Sequence, residues 1–450
     1  MDTPICDFVA EYRKKGGVRL HMPGHKGRSF LGVEALDITE IRGADELYRA
    51  RGIIRQSEEN AAALFGAGRT VYSTEGSSLC IRAMVYLALL WGRENGRRPL
   101  ILAGRNAHRA FISACALMDA EVEWLIPERE ASLISCRITA PELETRLRGM
   151  QEKPAAVYVT SPDYLGHVTD VGALSAVCRR HGVLLLVDNA HGAYLKFLRT
   201  DRHPISMGAD LCCDSAHKTL PALTGGAYLH LGKGAPDTLS DSAEKAMALF
   251  ASTSPSYLIL QSLDRCNAYL SDGYMEKLAA LCGDTSALKS RLLARGYDLA
   301  GDEPCKITLA PKGYGYTGDA LHEYLRARNM ECEFSDPDFL TAMVTPETGA
   351  QALERWGEAL LAVPRKEPVD GAPPPAPKTE RALSIREALL APSREIPVED
   401  AGGRILADAQ TACPPCIPIL ISGEIITREA IRCFRYYGIE SCRIVTEGEK

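Results

Sequence analysis

The sequence predicts an α/β protein built on a mostly parallel sheet with helices on both faces. Three observations carry that expectation: short, nearly continuous apolar runs, amphipathic segments between them, and a length of 450 residues that exceeds one ordinary domain. The runs are Thr70-Val71-Tyr72, Leu100 to Ala103, Ala156 to Val159, Val183 to Val187, Leu211 to Cys213 and Ala227 to Leu229. Between them, Ser78 to Trp91 and Val171 to Arg180 repeat apolar residues at helical spacing. In such a sheet ligands bind at the carboxyl ends of the strands.

Past the last run, Met247 to Ala279 reads as one long packed helix leading out of this domain, and a smaller α/β unit follows. The segment VPRKEPVDGAPPPAPK, starting at Val363, predicts an extended, mobile linker. A compact last unit carries strand signals at Ile417 to Ile421 and Cys442 to Val445 around a helix at Thr427 to Tyr437. The expected organisation is an N-terminal arm (1–60), a large domain (61–275), a small α/β domain (276–362), the linker (363–380) and a C-terminal unit (381–450). There is no internal repeat.

Composition narrows the function. Hydrophobic residues at 46% and charged residues at 24% suit a globular core, and a net charge of −6 offers no basic footprint for nucleic acid. No stretch approaches a membrane span, and the N-terminus has no apolar signal region, so a cytoplasmic protein is expected. The fifteen cysteines are scattered and read as reduced thiols. The one CxxC, Cys413 to Cys416, lacks a second ligand pair, so no metal is expected.

The chemistry concentrates at strand ends. After Val183 to Val187, VDNAHGAY puts Asp188 where the strand stops, beside His191. After Leu211 to Cys213, DSAHKTL puts Ser215, His217 and Lys218 in the equivalent place. Neighbouring strand ends bring a carboxylate and an amine to one pocket, the pairing that pyridoxal phosphate (PLP) needs: an amine to hold its aldehyde and an acid to keep its pyridine nitrogen protonated. A phosphate needs backbone amides and hydroxyls at a helix N-terminus, which STEGSSLCIRAM supplies through Gly76, Ser77 and Ser78. His108, after Leu100 to Ala103, is placed to lie on a cofactor ring. No GxGxxG follows the early strands, which disfavours a nicotinamide dehydrogenase.

With these residues assembled, the chain resembles the bacterial-type ornithine/lysine/arginine decarboxylases, PLP enzymes with the aspartate aminotransferase fold. The resemblance runs through LHMPGHKG (Leu20 to Gly27), DITEIRGADELYRARGIIRQSEENAAALFGA (Asp37 to Ala67), EGSS, RNAH, TSPDYLGHVTD, VDNAHGA, DSAHKTLPALTGGA and STSPSY (Ser252 to Tyr257), then AGGRILAD and CPPCIPILISGE (Cys413 to Glu424). It implies that Lys218 is the Schiff-base lysine, that Asp188 partners the pyridine nitrogen and that His108 stacks on the ring. It places Gly76, Ser77, Ser78, Ser215 and His217 around the phosphate, Ala190 and His191 along the ring edge, and Ser252 and Thr253 in the cofactor set. A homodimer or dimer of dimers follows, with active sites at the interface, so that the arm with His21, His25 and Lys26 and the STSPSY segment act across subunits. Glu424 and, from the partner chain, Asp45 or Glu46 are candidates for reading the substrate's distal cation, and Cys416, His25 and Lys26 join them as candidate substrate residues.

The implied reaction removes carbon dioxide from arginine, lysine or ornithine to give a polyamine precursor, with Lys218 or His217 returning the proton. Transamination on the same fold and a non-catalytic PLP-binding regulator are the alternatives. Relatives commonly have asparagine at Glu75, lysine and serine at Arg109 and Ala110, glutamate at Asn189 and YPPGIP in place of CPPCIP, which bears on substrate choice. Long members carry an N-terminal response-regulator-like domain; this chain begins at the arm and is expected to be the short form.

Overall fold

The computed structural model describes residues 1–127, 133–411 and 416–446; Cys413 lies outside them. Seven strands make a large, mostly parallel sheet: β1 (Arg69–Ser73), β2 (Leu100–Gly104), β3 (Glu121–Leu125), β4 (Ala156–Thr160), β5 (Leu184–Asp188), β6 (Leu211–Asp214) and β7 (Ala227–Leu231). The helices that matter for the site are α1 (Pro4–Lys14), α2 (Ile53–Phe65), α3 (Gly76–Glu94) and α4 (Arg109–Met118). The chain divides into two compact units. One holds Met1–Arg98, Ala155–Val157 and Val171–Leu278; the other holds Pro99–Pro154, Tyr158–Asp170 and Ala279–Lys450.

In the first unit the strand order is β1-β7-β6-β5. β5 and β6 run parallel, with Asp188 opposite Cys213, whereas β7 is antiparallel to both β6 and β1. Every residue of β5, β6 and β7 is buried, which is why these strands lack polar alternation. β1 is the edge strand of this group, and the carboxyl group of Glu58 in α2 accepts its Tyr72 amide at 2.9 Å, closing part of the edge. α2 begins where the Asp45 carboxylate accepts the amides of Arg51, Gly52 and Ile54 at 3.0, 2.7 and 3.1 Å. Those are donors that a helix N-terminus leaves unpaired.

The long helix expected from Met247 to Ala279 is instead three helices, Asp237–Ala248, Tyr257–Leu270 and Tyr274–Arg295. Apolar spacing carries across the breaks, but local chemistry stops the helix twice. Ser252 to Pro255 interrupt it, and Ser256 then caps the next start by accepting the Ile259 amide; Gly273, at φ +67°, makes the second turn.

In the second unit β2 and β3 pair in parallel. A four-stranded antiparallel sheet joins Asp298–Ala300, Lys306–Ala310, Phe334–Ser335 and Leu340–Met343. Residues 364–380 contain neither helix nor strand. The C-terminal part packs the helix Arg428–Tyr436 over the pair Ser393–Pro397 and Ser441–Val445, around Leu406, Leu420, Ile426, Phe434 and Ile444. Strand and helix fall where the sequence signals put them.

Candidate active site

The parallel pairing of β5 with β6 sets the two strand ends side by side. Asp188 closes β5 and is almost wholly buried. Its Oδ1 accepts the Ala190 amide at 3.2 Å and lies 3.5 Å from the Cys213 thiol. Burial, reinforced by the Asp188 charge, pushes that thiol well above its ordinary range, so it stays protonated and donates. Lys218 sits in the one-turn helix Ala216–Thr219 that follows β6, with its amide donating to Ser215 O at 3.0 Å. Its Nζ is 2.9 Å from His191 Nε2, so one proton is shared between an amine and an imidazole reached from β5.

His217, the neighbour of Lys218, is fixed by Gly226, whose carbonyl takes its backbone amide at 3.2 Å and stands 3.1 Å from Nδ1. The Ser215 hydroxyl donates to the Ser77 hydroxyl at 2.7 Å, joining the β6 turn to the start of α3. There Gly76 adopts φ +73°, its amide donates to Gly225 O at 2.8 Å, and a Cβ added to it would meet no atom within 4 Å. Ser77 and Ser78 are half-buried in the first turn, among amides that lack helical partners. The exposed Glu75 accepts the Ser252 amide at 2.8 Å, which brings Ser252, and next to it the exposed Thr253, to the same helix end. Ala190 follows on the turn after β5.

The remaining expected residues have partners of their own. His108 caps α4, its Nδ1 accepting the Ala110 amide at 3.1 Å, and belongs to the second unit. Asp45 is not poised as a bare carboxylate: its oxygens are taken by the backbone amides that start α2. Burial raises its pKa, but those amides outweigh burial and hold it below the usual range. Glu46 is exposed, 3.7 Å from Arg49. His25 is engaged within the arm, with Nε2 3.2 Å from Asp37 and Nδ1 accepting the Gly27 amide at 3.0 Å, and Lys26 donates to His21 O at 2.6 Å. In the second unit Glu424 accepts from Arg105 at 3.3 Å and from the Ile421 amide at 2.8 Å, and Cys416, at φ +58°, receives the Arg109 amide on its carbonyl at 3.0 Å.

Sequence reasoning missed a buried cluster directly behind this site, Asp214 with His203 and His230, all wholly inaccessible. One signal was available: His230 interrupts the apolar strand Ala227–Leu231, and a polar ring in a fully buried strand requires a partner.

A lysine and an acid on adjacent parallel strand ends, above a serine-lined helix start, define a fold of the PLP-dependent transferase type. An SPT solved with PLP matches it with TM-score 0.55 and 14% identity over 71% of this chain and 79% of that one. The lysine decarboxylase LdcF of Francisella novicida matches with TM-score 0.81 and 17% identity, over 99% of this chain and 81% of that one. Residues 3–291 match the family described as Orn/Lys/Arg decarboxylase, major domain. The arginine decarboxylase of Bacillus subtilis (strain 168) is 30% identical over 467 aligned residues, covering 96% of this chain and 92% of that protein. The chain belongs to the Orn/Lys/Arg decarboxylase family.

Proposed function

We propose that the protein removes the α-carboxylate of a basic amino acid as carbon dioxide, using PLP, and that arginine is the first substrate to test. The observation that carries the reading is the juxtaposition of Asp188 and Lys218 on paired strand ends, in a chain whose family is defined by decarboxylation. The arginine decarboxylase that aligns with nearly the whole chain is what favours arginine over lysine and ornithine.

The residues present fit the cofactor. The open space over Gly76, the hydroxyls of Ser77, Ser78 and Ser215, and the first-turn amides of α3 that follow Gly76 make an anion cradle. Lys218 would supply the amine that attaches the aldehyde, and Asp188 the buried carboxylate that would pair with a protonated ring nitrogen. PLP, when bound, supplies the electron sink that stabilises the carbanion left by carbon dioxide. His191, at 2.9 Å, can take the proton that Lys218 must lose to act as a nucleophile and give it back later. The Lys218–His191 pair would then hold a proton that can be returned, in addition to His217.

The same reading accounts for the arm. Val18, Leu20, Met22, Phe30 and Leu31 are all largely exposed within fourteen consecutive positions, an apolar surface that a second copy of the chain would cover. Among the described residues no helix is long and apolar enough to cross a membrane. The products would be agmatine from arginine, cadaverine from lysine or putrescine from ornithine.

Carbon dioxide release from arginine, lysine and ornithine, run beside amino transfer to a keto acid, tests the function. Release from arginine with retention of the α-amino group is expected; amino transfer without release would replace the decarboxylase reading by transamination. A visible absorption band that fails to turn over any of the three would favour a regulator.

A further inference from the structure

We infer that Asp214 is a positioning residue for this site, a buried carboxylate that fixes the strand end bearing Asp188 against the turn bearing Lys218. The inference rests on the cofactor reading of those two residues and concerns groups that reading leaves unused. Asp214 is the last residue of β6, directly before Ser215 and four residues before Lys218. Its Oδ1 accepts the side-chain amide of Asn189 at 2.7 Å, and Asn189 directly follows Asp188. A carboxylate only accepts, so the amide must turn its nitrogen toward it. The Asn189 backbone amide adds a second link, donating to Cys213 O at 3.0 Å.

The other oxygen, Oδ2, takes His203 Nε2 at 2.9 Å. His203 Nδ1 accepts the Ile205 amide at 3.3 Å, which fixes the tautomer: the ring proton is on Nε2 and is donated to Asp214. That proton also settles what the cluster is. The ligand atoms of His203, Asp214 and His230 lie within 4.8 Å of one another, close enough to suggest a cation. Nε2 of His203 has no lone pair to offer one, so the cluster is hydrogen-bonded. His230 Nε2 stands 3.3 Å from Oδ2 without the alignment of a hydrogen bond, while its Nδ1 pairs with the Thr70 hydroxyl at 2.8 Å. Phe65 packs on both imidazoles, with ring centroids 5.2 and 4.5 Å away.

A bare carboxylate at this depth would cost several kcal/mol. Burial pushes Asp214 up, but the interaction with His203, and after it that with nearby His230, more than offsets burial and holds the group far below the usual carboxylate range, so it is ionised. The charge can exist only while Asn189, His203 and β6 keep their positions. It therefore locks the relative placement of Asp188 and Lys218 and adds a second negative charge behind Asp188.

The test uses full-length protein and four variants, Asp214→Asn, Asn189→Asp, the double exchange, and Asn189→Ser. The readouts are PLP affinity from the visible band, kcat, KM and thermal midpoint. Asp214→Asn keeps the shape and can still receive the His203 proton; it should weaken PLP about tenfold and lower kcat by a similar factor, with KM and midpoint little changed. Exchanging both residues restores one acid facing one amide and should recover most of the loss, a rescue that simple structural damage would not show. Should Asp214→Asn fail to fold, Asn189→Ser, which cuts the link and leaves the acid with His203, must show the same loss in PLP affinity and kcat. Wild-type affinity and kcat in folded Asp214→Asn or Asn189→Ser, or a double exchange no better than the worse single variant, overturns the inference. A wild-type protein that binds no PLP, or one whose visible band survives Lys218→Ala, overturns the cofactor reading instead.

Discussion

The strand ends around Asp188 and the loop around Asp45 both lie in the first unit, and each is organised by a carboxylate, yet the two acids are used in opposite ways. Asp45 is surrounded by backbone donors from one short stretch, Arg51 to Ile54, and what it gains is a helix start. Asp188 takes the Ala190 amide just after its own strand and meets the Cys213 thiol of the neighbouring strand β6. An acid saturated by amides is a structural part whose neighbours are local. An acid whose side-chain partner comes from another strand depends on the fold to hold it.

The largest effect that would sharpen this contrast is at Lys218. Lys218→Ala should abolish the visible band and lower decarboxylation by on the order of a thousandfold or more, because the attaching amine is gone while the cradle remains. Asp188→Asn comes next. The amide is the same size but cannot hold the ring nitrogen protonated, so kcat should fall by on the order of a hundredfold or more while PLP still binds. An Asp188→Asn enzyme with ordinary kcat would remove the difference between the two acids.

A smaller effect is expected at Asp45. Asp45→Ala should cost about 1–2 kcal/mol, read as a thermal midpoint lower by several degrees, because the start of α2 loses its acceptor. KM for arginine should not move. A large rise in KM with an unchanged midpoint would instead make Asp45 a reader of the substrate's cation and erase the contrast drawn here.

How far each acid could be understood from sequence follows from the same distinction. Asp188 and Lys218 were legible because each lies within a residue or a few of a strand whose apolar run is unmistakable, and parallel strand ends are neighbours by rule. The start of α3 was legible for the same reason, since Gly76 to Ser78 open a long helix. Partnerships that depend on distant segments were not. Glu424 meets Arg105 across 319 positions, and Asp214 meets His203 and His230 through a turn and a reversed strand whose direction the apolar pattern does not encode. The single helix expected beyond Met247 erred in the opposite sense, since a regular apolar period hid two short local stops.

Glu58 gives the finest division between the uses of an acid, because it is buried like Asp188 yet serves the backbone like Asp45. One oxygen takes the Tyr72 amide at the sheet edge, and the other, also buried, has no hydrogen-bond partner. Burial pushes its carboxyl group up to about 8, against the Tyr72 amide, which pulls it down. It is therefore protonated in the folded protein at neutral pH and ionised in the unfolded chain. The sign follows: its contribution to stability is whole below the ordinary glutamate value of 4.5 and is lost as pH rises through about 8. The loss should run at on the order of 1 kcal/mol for each pH unit within that window. Glu58→Gln keeps the acceptor for Tyr72 and removes the titration. Its thermal midpoint should overtake that of the wild type as pH rises from 6 to about 8.5, and two midpoint curves that stay parallel across that range would show that Glu58 is ionised in the fold after all.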